Sequence, residues 1–180
     1  MRVVVVGCGY VGLALAAQLD ARGHAVTGVR RSEAGLDAVD AVSPDVEAVR
    51  ADATDPSSLS ALPDADAIVF AASSGGRGAD AAREVYVDGL ANVVDEYGSR
   101  SAPPDRLVYT SSTGVYGDHD GGWVDEETPV EPTTEKTRVL AEAERIATER
   151  AADAGIDGTV VRFAGLYGPD RYRLERYVEG

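Results

Sequence analysis

The sequence has one cysteine, one lysine and no long hydrophobic run, and each shortage excludes a class of protein. Because Cys8 has no second cysteine to pair with, a secreted domain held by internal disulfides is excluded. No stretch approaches the roughly 18 apolar residues that a membrane span requires. The apolar opening Arg2–Val6 is too short for a signal peptide. We therefore expect a cytoplasmic protein without a membrane partner, in which Cys8 is a small buried residue rather than a reactive thiol.

Positive charge is also scarce. The 17 basic residues face 31 acidic ones, the net charge is −14, and Lys136 is the only lysine. Such an excess of carboxylates argues against nucleic acid or an anionic membrane as a partner. It is typical of proteins from salt-loving microbes, an ordinary acidic cytosolic protein being the alternative. With two histidines and one cysteine, no group of residues has metal-ligand spacing, so no metal site is predicted.

Strand-like and helix-like segments alternate along the 180 residues, which suffice for one domain with a sizeable core. Apolar and β-branched runs predict buried strands of a parallel sheet at Arg2–Val6, Ala25–Val29, Val46–Arg50, Asp66–Ala72, Arg106–Ser111 and Thr159–Phe163. Helical spacing predicts helices at Tyr10–Arg22, Ser32–Val42, Pro56–Leu62, Ala79–Tyr97 and Glu135–Ala154. The acidic stretch Gly117–Thr134, rich in Gly and Pro, is predicted as a long loop.

This alternation predicts an α/β protein with a three-layer Rossmann fold and a doubly wound, mostly parallel sheet. In such folds the ligand crevice lies at the carboxyl ends of the strands.

A glycine loop of the form G-x-G-x-x-G lies between the first strand and the first helix, and this context makes it specific for a dinucleotide. Gly7 permits a tight turn, Gly9 lets the backbone approach a pyrophosphate, and Gly12 allows close helix–strand packing. Tyr10 and Val11 open the helix, whose free N–H groups and positive dipole end suit phosphates. The alternative is a glycine turn without a ligand.

The residues after the second strand favour NADP. An NAD site usually places Asp or Glu about 20 residues beyond the glycine loop, to bind the ribose 2′-hydroxyl. Here Val29 is followed by Arg30, Arg31 and Ser32, with no acid. Guanidinium groups bind a 2′-phosphate in bidentate geometry. We therefore predict NADP, with NAD as the alternative cofactor. The alternative interpretation of the two arginines is that they are solvated surface charges.

A second polar segment, Asp52-Ala53-Thr54-Asp55, follows the third strand. We predict that Asp52 and Ala53 contact the adenine, because an aspartate there can reach its amino group. The alternative is a turn in which Asp55 caps the next helix.

With these residues, the chain resembles the extended short-chain dehydrogenase/reductase family, which includes the NAD-dependent epimerases and dehydratases of nucleotide sugars. The resemblance covers nearly the whole chain. Besides the two segments above, it rests on Tyr109–Gly117 and Arg162–Pro169. The sequence Ser-Thr-Gly-Val-Tyr-Gly, followed by Gly-Gly-Trp-Val-Asp-Glu, resembles an atypical subgroup.

The resemblance implies site residues and an activity. Ser112 would occupy the catalytic Ser/Thr position, where its hydroxyl binds the reacting carbonyl or alcohol oxygen. The backbone of Ala71, Ala72 and Ser73 would run beside the cofactor ribose. The implied function is an oxidoreductase or epimerase-like activity on a nucleotide sugar or another small carbonyl compound. The alternative is a catalytically inactive sensor of NADP(H).

One departure concerns the family's catalytic Tyr-x-x-x-Lys pair, in which the tyrosine handles the proton. Alignment puts Thr134 at the tyrosine position and Arg138 at the lysine position, and no tyrosine lies within Gly117–Ala154. Tyr116 is then the best remaining phenol, four residues after Ser112.

Tyr86, which stands where the family has an asparagine, and Lys136 are weaker candidates for the missing chemistry. A second departure concerns length, because extended members continue into a C-terminal substrate domain. We therefore expect residues 1–168 to form the NAD(P)-binding domain and residues 169–180 to begin a truncated substrate region. In many relatives helices equivalent to Ala79–Tyr97 and Glu135–Ala154 pair subunits, which makes a homodimer one option.

Overall fold

The computed structural model describes residues 1–75, 78–168 and 171. Six strands form one sheet: β1 (Arg2–Val6), β2 (Ala25–Arg30), β3 (Val46–Arg50), β4 (Ala67–Phe70), β5 (Arg106–Ser112) and β6 (Asp157–Phe163). Their order is β3-β2-β1-β4-β5-β6, and all neighbouring strands run parallel. The order reverses between β1 and β4, as in a doubly wound sheet. The predicted Rossmann fold is confirmed.

The α-helical segments are α1 (Tyr10–Asp20), α2 (Glu33–Asp40), α3 (Pro56–Leu59), α4 (Ala79–Arg83), α5 (Leu90–Gly98), α6 (Glu135–Arg145) and α7 (Ala151–Asp153). The π-helical turn Glu84–Gly89 joins α4 to α5, and a second one, Ile146–Arg150, joins α6 to α7. Residues 79–98 and 135–153 are therefore two continuous helices, each interrupted by a wider turn. The predicted long loop contains a short 3-10 turn at His119–Gly121.

The observed ends of several helices and strands differ from the predicted ones by a few residues. Helix α1 ends earlier because the chain reverses at Gly23, which has a φ of +80°. Strand β4 ends at Phe70, although the N–H of Ala71 still donates to the carbonyl of Val6 at 2.8 Å. Strand β6 begins two residues earlier than predicted, at Asp157.

Alternate residues of the central strands pack into two separate cores. On one face of the sheet, Val4, Val6 and Ile68 lie under the helices of residues 79–98 and 135–153. On the other face, Val3 and Val5 pack against α1 and α2. This period-two alternation produces the three layers.

The remaining expectations concern the chain's ends and its surroundings. Within the described ranges, none of the helices has the length and apolar character needed to cross a membrane. The predicted start of a substrate region, residues 169–180, lies outside the described residues except for Arg171.

Candidate functional site

A cavity of about 1170 Å³ lies along the carboxyl edge of the sheet. The cavity follows the order of the strands. One end lies at β3 and β2, the middle at the glycine loop after β1, and the other end at β4, β5 and β6. The predicted site residues that line it are Gly7, Gly9, Tyr10, Val11, Arg30, Arg31, Asp52, Ala53, Ala71, Ala72, Ser73 and Ser112. Gly12 and Tyr116 do not line it.

The glycine loop is held against the sheet by its backbone. The N–H groups of Gly7 and Cys8 both donate to the carbonyl of Val29, at 3.2 Å each. Gly7 has a φ of +82°, and a Cβ there would overlap the backbone of Ala72. Gly12 faces the strand, since its Cβ would lie 3.0 Å from the Gly7 carbonyl oxygen. The turn thus requires glycine at Gly7, whereas at Gly12 a side chain would be tightly packed against the loop and β1.

The amino end of α1 is open to the cavity. Its N-cap is Gly9, which provides no side-chain hydrogen bond, and the first turn contains no acid. A Cβ at Gly9 would lie 3.0 Å from Nη1 of Arg30, so a side chain there would intrude on the space beside the loop. Uncapped N–H groups and a positive dipole end fit an anionic pyrophosphate.

At the β2 end, two arginines have different surroundings. The guanidinium of Arg30 makes no ion pair or hydrogen bond with any residue that the structure describes. Arg31 lies 3.7 Å from the carboxylate of Asp52 and is largely exposed. The nearby acid Glu33 is paired with Arg50. Of the two arginines at this end, Arg30 is therefore the one whose guanidinium has no described partner and can meet a ligand phosphate.

Asp52 and Ala53 are held in place after β3. Burial opposes the ionisation of Asp52, but hydrogen bonds from Thr54 and the charge of Arg31 outweigh it and hold the pKa of Asp52 below its usual value. The carbonyl of Ala53 accepts a hydrogen bond of 2.9 Å from the side chain of Asn92. The adjacent Asp55 caps α3 by accepting from the N–H of Ser57, as the alternative interpretation of this segment predicts.

Ser112 lies at the end of β5, in the wall of the cavity. Its hydroxyl oxygen accepts a hydrogen bond of 3.2 Å from the N–H of Gly114. Because this bond uses only a lone pair, the hydroxyl proton remains able to donate to a ligand oxygen.

Tyr116 lies elsewhere than expected. It is 6% exposed, and its hydroxyl donates to the carbonyl of Asp125 at 2.7 Å. The same oxygen accepts from Nη1 of Arg162 at 2.7 Å. With both functions of the phenol engaged outside the cavity, the structure argues against the predicted catalytic role and makes Tyr116 an anchor for the long loop.

A buried ion pair behind the cavity wall was not predicted. Arg162 donates to both carboxylate oxygens of Glu144, at 3.0 and 2.8 Å. Ser111 donates to the same carboxylate at 2.6 Å, and the side chain of Glu144 is 8% exposed. The hydrogen bond from Arg162 to Glu144, and after it the one to Tyr116, raise the pKa of the Arg162 guanidinium, although burial opposes this. The group ties together the ends of β5 and β6, next to Ser112.

The helix of residues 135–153 turns an unexpected face to the cavity. Thr134, aligned with the family tyrosine, is the N-cap of α6, and its hydroxyl accepts from the N–H of Thr137 at 3.2 Å. Arg138 is exposed and does not line the cavity. Lys136 and Leu140, one turn apart, line it instead. The aligned positions therefore do not supply the missing pair.

Two residues that the sequence left as minor candidates have defined positions. Tyr86, in the π-helical turn Glu84–Gly89, lines the cavity and accepts a hydrogen bond of 3.3 Å from the N–H of Ser74. Cys8 is fully buried, and burial, partly opposed by Arg30, raises the pKa of its thiol to about 11. Cys8 is thus a packing residue, as expected.

The geometry can be set against known proteins. The model of the NAD dependent epimerase/dehydratase family matches residues 3–178. Protein YeeZ of Escherichia coli (strain K12) is 36% identical over 174 residues, which are 95% of this chain and 61% of that protein. The chain therefore spans about three fifths of the length of this relative.

Solved structures of epimerase/dehydratase-type proteins are also similar to this chain. A protein from Methylobacillus flagellatus, assigned as an NAD-dependent epimerase/dehydratase, is 32% identical with a TM-score of 0.75, over 98% of this chain and 58% of its own. The dTDP-glucose 4,6-dehydratase of Streptomyces venezuelae, solved with NAD bound, is 26% identical with a TM-score of 0.79, over 96% of this chain and 58% of its own.

Proposed function

Because the chain belongs to the NAD dependent epimerase/dehydratase family, we propose that its cavity binds NADP(H), and that it acts as an oxidoreductase or epimerase-like protein on a nucleotide sugar or small carbonyl compound. The pyrophosphate would lie on the glycine loop and the amino end of α1, where backbone N–H groups are free. The bound nicotinamide would supply or accept hydride. The protein's part is to bind it, orient it and hold the substrate oxygen.

The observation that carries the NADP proposal is the free guanidinium of Arg30 beside Gly9, with no carboxylate at the end of β2. A 2′-phosphate there would gain a charge-assisted hydrogen bond, whereas a 2′-hydroxyl would find no acceptor of the usual kind. Arg31 is a second cation at this end, although Asp52 neutralises part of its charge.

Binding of two adenosine fragments tests this assignment without the nicotinamide. Adenosine 2′,5′-bisphosphate and adenosine 5′-monophosphate differ only in the 2′-phosphate. We expect the bisphosphate to bind more tightly, and Arg30→Gln to weaken it by about 10- to 100-fold, the equivalent of one charge-assisted hydrogen bond. The monophosphate should be hardly affected. Arg22→Gln, remote from the cavity, is the control, and equal binding of both fragments would contradict NADP preference.

A second candidate function, a sensor that binds NADP(H) without turnover, is favoured by one observation. Thr134 stands at the position of the family tyrosine and is engaged as a helix cap. Turnover of any carbonyl compound would exclude the sensor.

A further inference from the structure

The cavity contains a phenol and an ammonium that come from two different helices. Tyr86 belongs to the helix of residues 79–98 and Lys136 to the helix of residues 135–153, and both line the same cavity. We propose that Tyr86 is the proton donor to the substrate oxygen, and that Lys136 is the cation that stabilises the resulting phenolate. This inference rests on the proposed function, because it needs a reduced nicotinamide in the cavity.

The position of Tyr86 along the cavity suits this role. Its hydroxyl is bonded to the N–H of Ser74, just after β4. In the sheet, β4 lies between the glycine loop after β1 and Ser112 at the end of β5. A dinucleotide whose adenine lies near Asp52 would extend along this edge toward Ser112. Tyr86 therefore lies at the reacting half of the cavity rather than at the adenine half.

The hydrogen bond at Tyr86 has the right direction for an acid. The N–H of Ser74 donates to the phenol oxygen at 3.3 Å, so the phenol proton is left to donate elsewhere. After proton transfer, the same N–H stabilises the negative oxygen. Tyr86 lies in the π-helical turn between the buried Val85 and Val87, and its side chain lines the cavity.

The other phenols near the site are less suited. Tyr116 has both its hydrogen-bonding functions engaged outside the cavity. Tyr109 is fully buried, and burial, reinforced by the neighbouring Tyr86, raises its pKa far above the usual value. Tyr10 lines the cavity at the glycine loop, where Arg171 lies 5.0 Å from its ring centre. Among the described tyrosines, Tyr86 alone lines the cavity beside β4.

The proposed step balances as a carbonyl reduction. The carbonyl carbon receives hydride from a reduced nicotinamide, and its π bond breaks toward oxygen. That oxygen takes the proton of Tyr86, while Ser112 donates a hydrogen bond to it. The products are an alcohol, the oxidised nicotinamide and a phenolate, which solvent water reprotonates. Lys136 stabilises the phenolate by its charge.

The single lysine allows a test of Lys136 that needs no turnover. Reductive methylation with ¹³C-formaldehyde labels only Lys136 and the amino group of Met1, because the chain has no other lysine. Lys136→Gln identifies its NMR signal. We expect NADPH to shift the Lys136 signal and leave that of Met1 unchanged. If calorimetry shows NADPH binding but the Lys136 signal stays in place, Lys136 is not at the site. If NADPH does not bind, the proposed function itself fails.

Tyr86→Phe tests the proton step. With NADPH and phenanthrenequinone as probes, we expect kcat to fall about 100-fold or more, the usual contribution of a general acid, with KM and NADPH affinity unchanged. Tyr97→Phe, on the same helix but bonded to the carbonyl of Pro63, should keep its turnover. Lys136→Gln, at an exposed position, should also lower kcat. Unchanged turnover in Tyr86→Phe, or no turnover by the wild-type protein with NADPH bound, would overturn the inference.

Discussion

The buried ion pair between Glu144 and Arg162 leads to a quantitative prediction about stability. Glu144→Gln keeps the size of the side chain but removes the charge that faces Arg162, whose side chain is 22% exposed. Removing one partner of a buried pair costs about 3–5 kcal/mol, because the other charge remains without compensation. Glutamine can still bond to Ser111, and Arg162 keeps some contact with water. We therefore expect the free energy of unfolding to fall by about 3 kcal/mol, the lower end of this range.

Urea unfolding followed by circular dichroism measures this loss by linear extrapolation. The matched control is Glu142→Gln on the same helix, whose partner Arg83 is 47% exposed, and which should change stability far less. A double variant, Glu144→Leu with Arg162→Met, should recover much of the loss because neither charge remains. A loss below about 0.5 kcal/mol for Glu144→Gln, as at an ordinary surface position, would show that the charge of Glu144 does not compensate that of Arg162.

Two further predictions concern packing and titration. In Gly158→Ala, the new Cβ would overlap the carbonyl of Ala147, so we expect the free energy of unfolding, measured in urea, to fall by about 1–3 kcal/mol. In the control Gly78→Ala, the atom nearest to the new Cβ is 4.0 Å away, so stability should change little. An equal fall in the control would contradict the prediction. Since burial raises the pKa of Cys8 from 9.0 to about 11, its contribution to stability is present below pH 9.0 and lost as pH rises to about 11. Iodoacetamide, with labelling measured by mass spectrometry, should modify native Cys8 much more slowly than the unfolded chain at neutral pH, and equal rates would contradict its burial.

The strands and the glycine loop could be predicted from the sequence because they depend on short-range patterns. The run of valines before Gly7 has the continuous apolar character of a strand buried on both faces. The spacing of the three glycines follows from backbone geometry within six residues. The structure shows the close approach that requires glycine at Gly7 and the tight packing at Gly12.

The direction of individual side chains could not be predicted, because contacts distant in sequence decide it. Glu144 and Arg162 meet only when β6 pairs with β5 beneath the last long helix. The two π-helical turns have no sequence signature, and one of them carries Tyr86. The position of Lys136 could have been predicted from helical spacing. It lies one turn before the apolar Leu140, on the same helical face, and this face lines the cavity.

The proposed function requires that the cavity binds a phosphorylated nicotinamide dinucleotide. Its most direct test is a calorimetric titration of the wild-type chain with NADPH and, separately, with NADH, in a high-salt buffer suited to its acidic composition. We predict that one NADPH binds per chain, with an affinity clearly higher than that for NADH. Tighter binding of NADH, or no binding of either dinucleotide, would contradict it.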